Sequence, residues 1–152
     1  LPFVEGDPEF YFEVSGGDAD SFSSPHNDDE EMHVSAPPEP TIISAYWWEE
    51  GQDFVYEDTN VTMAAEVQGF AEETWFDFDI YEAEVGADFD IGVNKRGQVY
   101  ESDGKYYVKA NWTATYMDDG LFQGDPEYVF IVSESNSGLD KKSRTELEVK
   151  EQ

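Results

Sequence analysis

Apolar and polar positions alternate with a period of two through most of this chain. Val61, Met63, Ala65 and Val67 alternate with Thr62, Ala64 and Glu66, and Phe76, Phe78 and Ile80 alternate with Asp77, Asp79 and Tyr81. The longest run sets Tyr106, Val108, Ala110, Trp112, Ala114 and Tyr116 on one face and Tyr107, Lys109, Asn111, Thr113 and Thr115 on the other. Successive side chains of an extended strand point to opposite sides, so each run predicts a strand with one face in a core and one in water. Further strands are predicted at 127–133 and 145–150, with a short one at 98–101 closed by an Asp103-Gly104 turn. Residues 41–48 are apolar on both faces, which predicts a first strand buried between neighbours. No window has a helical period. Seven short strands at hairpin-like spacing over roughly 110 residues predict an antiparallel β-sandwich.

The N-terminal pattern repeats near the end of the chain. Gly6-Asp7-Pro8-Glu9-Phe10-Tyr11-Phe12-Glu13-Val14-Ser15 aligns without a gap on Gly124-Asp125-Pro126-Glu127-Tyr128-Val129-Phe130-Ile131-Val132-Ser133, with seven of ten positions identical. Each copy is followed by a polar loop and a short alternating segment, Glu31-Met32-His33-Val34 or Glu146-Leu147-Glu148-Val149. Self-similarity at a fixed offset is the signature of a tandem array. Residues 1–35 are therefore expected to form a β-hairpin, strand 9–15 and strand 31–35 around a loop at 16–30, equivalent to the last two strands of the module that follows. Pro37, Pro38 and Pro40 make residues 36–40 a stiff, extended connector. The complete module is expected at 41–152.

Four segments resemble the immunoglobulin-like modules of bacterial and archaeal surface proteins, adhesins and secretion-spike extensions. They are Tyr46-Trp47-Trp48, Phe78-Asp79-Ile80-Tyr81-Glu82, Trp112-Thr113-Ala114-Thr115-Tyr116, and Tyr128-Val129-Phe130 with Leu147-Glu148-Val149. The resemblance spans 41–150 and implies an all-β, immunoglobulin-like sandwich acting as a spacer or binding module. It implies no particular activity.

Charge narrows the partners. The 152 residues carry 36 acidic side chains against 8 basic ones, a net charge of −28. Such a surface repels phosphate backbones and anionic head groups, which argues against nucleic acid and membrane surfaces as partners. It suits cations, a saline habitat, or plain solubility. There is no cysteine, so disulfides and thiolate metal sites are excluded. No apolar run approaches the ~20 residues that cross a bilayer. The chain opens at Leu1 without a signal-type segment, as expected of a chain processed or cut from a longer one.

No constellation supports catalysis. His26 lies in a low-complexity loop and His33 on a predicted strand, neither near a plausible nucleophile. Calcium is better served, because hard cations take six to eight oxygen ligands from loop carboxylates and carbonyls. Asp88 with Asp90, and Asp118 with Asp119, are candidate ligands, joined by Asp7 or Asp125 of the recurring Gly-Asp-Pro-Glu motif. A third cluster is Asp18 and Asp20 with Asn27, Asp28 and Asp29. No known calcium-loop spacing matches, and solvated loop acids are the alternative. Two glycosylation sequons, Asn60-Val61-Thr62 and Asn111-Trp112-Thr113, mark Asn60 and Asn111 as glycan acceptors in an exported protein. Trp47 and Trp48 are either a sugar-stacking platform or core residues.

The expected role is structural: an extracellular filament, stalk or adhesin built from tandem or polymerised copies of this unit. Its assembly residues would be Phe10, Phe12, Val14, Met32 and Val34, the apolar positions of an incomplete hairpin that must find partner strands. The alternative is a carbohydrate- or surface-binding module on the same scaffold.

Overall fold

The computed structural model describes residues 9–10, 13–14, 22–23, 32–33, 38–84, 86–117 and 124–152. The chain divides into two units, Leu1–Pro38 and Glu39–Gln152. Every regular element among the described residues is a strand.

In the smaller unit β1 (Glu9–Phe10) pairs antiparallel with β4 (Met32–His33), setting Glu9 opposite His33 and Phe10 opposite Met32. β2 (Glu13–Val14) pairs with β3 (Phe22–Ser23), Glu13 opposite Ser23 and Val14 opposite Phe22. β3 lies within 16–30, where polar composition predicts only loop. Phe12 and Val34 lie outside the described residues.

The larger unit contains β5 (Thr41–Trp47), β6 (Val55–Tyr56), β7 (Asn60–Gln68), β8 (Trp75–Glu84), β9 (Ala87–Gln98), β10 (Tyr100–Ser102), β11 (Lys105–Thr113), β12 (Glu127–Glu134), β13 (Leu139–Lys142) and β14 (Leu147–Lys150). Sheet I has the order β10-β11-β7-β5 and is antiparallel throughout. Sheet II has the order β6-β14-β12-β8-β9, with β13 also paired to β12. Its one parallel contact joins β14 to β6, Val149 opposite Val55 and Lys150 opposite Tyr56.

β12 holds β8 on one edge and β13, then β14, on the other. Glu127 faces Glu148 and Tyr128 faces Leu147. Under the alignment of the repeat these are the pairs Glu9–His33 and Phe10–Met32 of the small unit. Ile131 faces Lys142 and Val132 faces Lys141, at the positions where Glu13 and Val14 take Ser23 and Phe22. The first strand of the repeat thus takes its partners at corresponding positions in both copies.

The alternation read from sequence sets the inner faces. Val61, Met63, Ala65 and Val67 of β7, Phe76, Phe78 and Ile80 of β8, and Val108, Ala110 and Trp112 of β11 are all buried in one cluster. Across the layers Trp47 meets Phe130 edge-on with ring centroids 5.0 Å apart, and Trp112 meets Tyr128 at 4.9 Å. The Trp47 indole N–H donates to the Tyr128 carbonyl at 3.2 Å, so the largest core side chain leaves no polar atom unpaired. Burial of side chains this size stabilises by about 1.5–3 kcal/mol each.

Three features depart from the sequence reading. β5 is not buried on both faces, because a bulge between Ile42 and Ser44 shifts its phase, sending Ala45 and Trp47 inward and Ile43 and Trp48 outward. The strand predicted at 98–101 is divided: β9 ends at Gln98, Val99 is buried, and β10 begins at Tyr100 in the other sheet. Gly97 permits this crossing, since a Cβ there would lie 2.0 Å from the Lys109 carbonyl oxygen. β6, β9 and β13 are strands that the period of two did not predict. β9 is an edge strand, exposed along nearly all of its length, and a bulge sets Asp90 opposite Tyr81 but Val93 opposite Ile80. That irregularity and its charges discourage edge-to-edge pairing. The Asp103-Gly104 turn is as expected, both residues at positive φ (51° and 78°) between Ser102 and Lys105.

Candidate functional site

On the outer face of sheet I, alternation places Ser44, Tyr46 and Trp48 from β5 and its end, Thr62, Ala64 and Glu66 from β7, and Tyr107, Lys109 and Asn111 from β11. Register lines them up in rows. Tyr46, Ala64 and Lys109 lie side by side, and Ser44, Glu66, Tyr107 and Tyr100 form the next row. Trp48, whose N–H donates to the Thr62 carbonyl at 2.8 Å, begins a third that ends at Asn111.

The middle of this face is hollow. Ala64 is 0% exposed yet belongs to the outer face, covered by the larger side chains around it. Tyr46, Trp48, Tyr100, Ser102, Tyr107 and Lys109 line a trough of about 220 Å³. The Lys109 ammonium sits 4.0 Å from the centre of the Trp48 ring and 5.6 Å from that of Tyr100, within the range of attraction between a cation and an aromatic face. Tyr100 and Tyr107 lean together with centroids 6.0 Å apart. Burial, and then the neighbouring Tyr107 and Tyr100, push the Tyr46 phenol above its ordinary pKa, so it stays a neutral hydroxyl. Arg144 stacks over Tyr46 at 4.8 Å while its guanidinium pairs with Glu50. A second, more open hollow of about 510 Å³ adjoins at Tyr100, lined also by Glu72, Glu73, Gln98 and Glu101. Chemically the site offers aromatic faces, neutral hydroxyls, one ammonium and a margin of carboxylates.

Trp47 and Trp48 therefore separate. Trp47 is 0% exposed and belongs to the core, whereas Trp48 is 58% exposed and belongs to the trough. Tyr46, Tyr100, Ser102, Tyr107 and Lys109 were not singled out from sequence. The available signal was the phase of their strands, which assigned Tyr107 and Lys109 to the outer face.

The remaining candidates lie elsewhere. Asp88 is ion-paired with Lys142, and the Asp90 carboxylate accepts the Gly92 N–H at 2.7 Å. Asp125 pairs with Lys150 at 3.4 Å. Among the described residues no three metal-ligating side chains gather at one point. Asp7, Asp118 and Asp119 lie outside the described residues. Asn60 and Asn111 are both exposed, and their sequons face each other across β7 and β11, Asn111 opposite Thr62 and Asn60 opposite Thr113. The Thr62 hydroxyl donates to Asn111 Oδ1 at 2.9 Å. At the start of β12 the Glu127 carboxyl is pushed up to about 7, chiefly by a side-chain hydrogen bond to Glu146, then by burial and by the charges of Glu146 and Glu148.

No known protein family matches the chain, and no curated protein or solved structure matches it either.

Proposed function

We propose that this chain is a stretch of a covalent tandem array of immunoglobulin-like modules, exported to a cell surface as a stalk, filament or adhesin. The observation that carries the reading is the shared register. Two segments about 118 residues apart pair their neighbours at corresponding positions, which is expected of two copies of one structural unit.

The strand order supports the immunoglobulin-like assignment. If β5, β7, β8, β9, β10, β11 and β12 are strands A, B, C, C′, D, E and F, and β13 with β14 is G, the sheets read D-E-B-A and C′-C-F-G. The Tyr128 hydroxyl, at the start of F, donates back to the Thr115 carbonyl at 2.8 Å, in the manner of a tyrosine corner. An array is favoured over strand exchange between copies because β8 is already paired on both edges, by β12 and β9. A second molecule has no vacant seat there for a foreign hairpin. Calcium at the acidic loops and glycans at Asn60 and Asn111 remain part of this proposal.

Sedimentation of the chain at rising concentration tests it. A monomer throughout, together with native material several modules long on a denaturing gel, supports the array. Concentration-dependent fibres, or native material the size of this chain alone, would sink it.

A further inference from the structure

The two outer faces of the sandwich are built from different residues. That of sheet II is lined by Asp77, Asp79 and Tyr81 of β8 with Ile131 and Ser133 of β12, while sheet I gathers four aromatic rings from β5, β10 and β11 around a buried alanine. We propose that this trough is a binding site for a neutral saccharide chain, with Trp48 and Tyr100 as stacking surfaces and Lys109 and Ser102 as partners for sugar hydroxyls.

Construction of the trough is the first argument. Its rings come from positions 46, 48, 100 and 107 and meet only because the register of three strands aligns them. Ala64, between Tyr46 and Lys109 in register, lies fully buried beneath these side chains. Trp48 is 58% exposed while its sequence neighbour is wholly buried, so the core had no need of it. Clustered rather than scattered surface aromatics mark interaction sites.

Charge decides the occupant. The position that a cationic ligand would take against Trp48 is already filled by Lys109. Anionic polymers are opposed by Glu66 on the same face, by Glu72, Glu73 and Glu101 at the margin, and by a net charge of −28. A purely apolar ligand would leave the Lys109 ammonium and the tyrosine hydroxyls without partners, at a cost in desolvation. A pyranose satisfies each part: its C–H face lies on an aromatic ring, and its hydroxyls donate to carboxylates and accept from the ammonium. The second hollow continues the site past Tyr100, giving room for neighbouring units of a chain.

The test uses the full chain made without glycosylation and titrated separately with cellohexaose, chitohexaose and mannohexaose, following the indole N–H resonances by NMR. At least one hexasaccharide is expected to shift the Trp48 resonance saturably, with Kd between about 10 μM and 1 mM. Trp48→Ala and Tyr100→Ala should each weaken binding about tenfold or more with little change in Tm. Trp75→Ala, at an exposed tryptophan of sheet II stacked with Arg96, should leave it unchanged. Loss of no more than twofold in both trough variants, or no saturable shift with any of the three sugars, would overturn the proposal.

Discussion

The Gly-Asp-Pro-Glu hairpin occurs twice in this chain, and its two copies have unequal surroundings. The copy at 124–150 has β8 along the free edge of its first strand, a buried aromatic face, and a Tyr128 hydroxyl bonded to the chain 13 residues upstream. The copy at 6–34 keeps the pairing of its own strands, has no β8 counterpart among the described residues, and carries Phe10 where the other carries Tyr128. Register thus belongs to the hairpin, while stability belongs to the sheet it joins. A two-stranded ribbon is marginal in water by itself, and a unit of under ~40 residues rarely buries enough to hold a fold.

Cutting the chain after Pro38 should separate the copies most sharply. Residues 39–152 are expected to retain the β-type circular dichroism and the melting temperature of the whole. Residues 1–38 alone should give a coil spectrum. A cooperative transition in the isolated hairpin would erase the distinction.

Equivalent substitutions come next in size. Phe130→Ala removes a fully buried ring packed against Trp47 and Phe78 and should cost about 3–5 kcal/mol. Phe12→Ala, its sequence counterpart, should leave the main denaturant transition where it was. Equal losses at the two sites would mean that the hairpin is already completed within one chain.

Gly97→Ala probes the crossing from sheet II to sheet I. The added methyl collides with backbone, not with a yielding side chain, so a loss of about 1–3 kcal/mol is expected in urea unfolding. Tyr128→Phe makes the second copy resemble the first at that position. It should cost about 1 kcal/mol, the net worth of one hydrogen bond, if the bond to Thr115 helps to hold the corner.

The smallest effect concerns pH. Glu127 and Glu146, with Glu148, Asp125 and Lys150 nearby, have counterparts in Glu9 and Glu31 of the first copy. Glu127 holds its proton up to about 7 in the folded state against 4.5 ordinarily, so between those values the folded state binds more protons than the unfolded. The contribution is fully present below about 4.5 and is lost as pH rises through 7. Melting of residues 39–152 should accordingly fall between pH 5 and 8, and Glu127→Gln should flatten the part of that slope owed to the pair. An unchanged slope in the variant would assign the whole effect to general repulsion among the carboxylates.

How much of this was legible in the sequence follows from burial. β7, β8, β11 and β12 each put one face in the core, so their alternation is plain in the sequence. β9 escaped notice because an exposed edge strand has no apolar face to display, and Gly92 and Gly97 read as breaks. The trough was hidden for a different reason. Its rings are separated by up to 61 residues in sequence and meet only through register, which single-strand periodicity cannot supply. Likewise the ion pair of Asp88 with Lys142 joins residues 54 apart in sequence, which no local pattern announces.

The parallel seam between β6 and β14 has a consequence under load. In an array pulled from its ends, tension draws the N-terminal side of a module one way and its last strand the other. Strands lying parallel across that line of force must slide past each other, so Val55–Val149, Tyr56–Lys150 and the Glu57 N–H to Lys150 carbonyl bond are loaded together. A seam that shears in unison resists stretching better than one that unzips bond by bond. The segment leading into the last strand is tied to the opposite sheet by the Arg144 N–H to Ala45 carbonyl bond. Such a module would serve as a link that yields late.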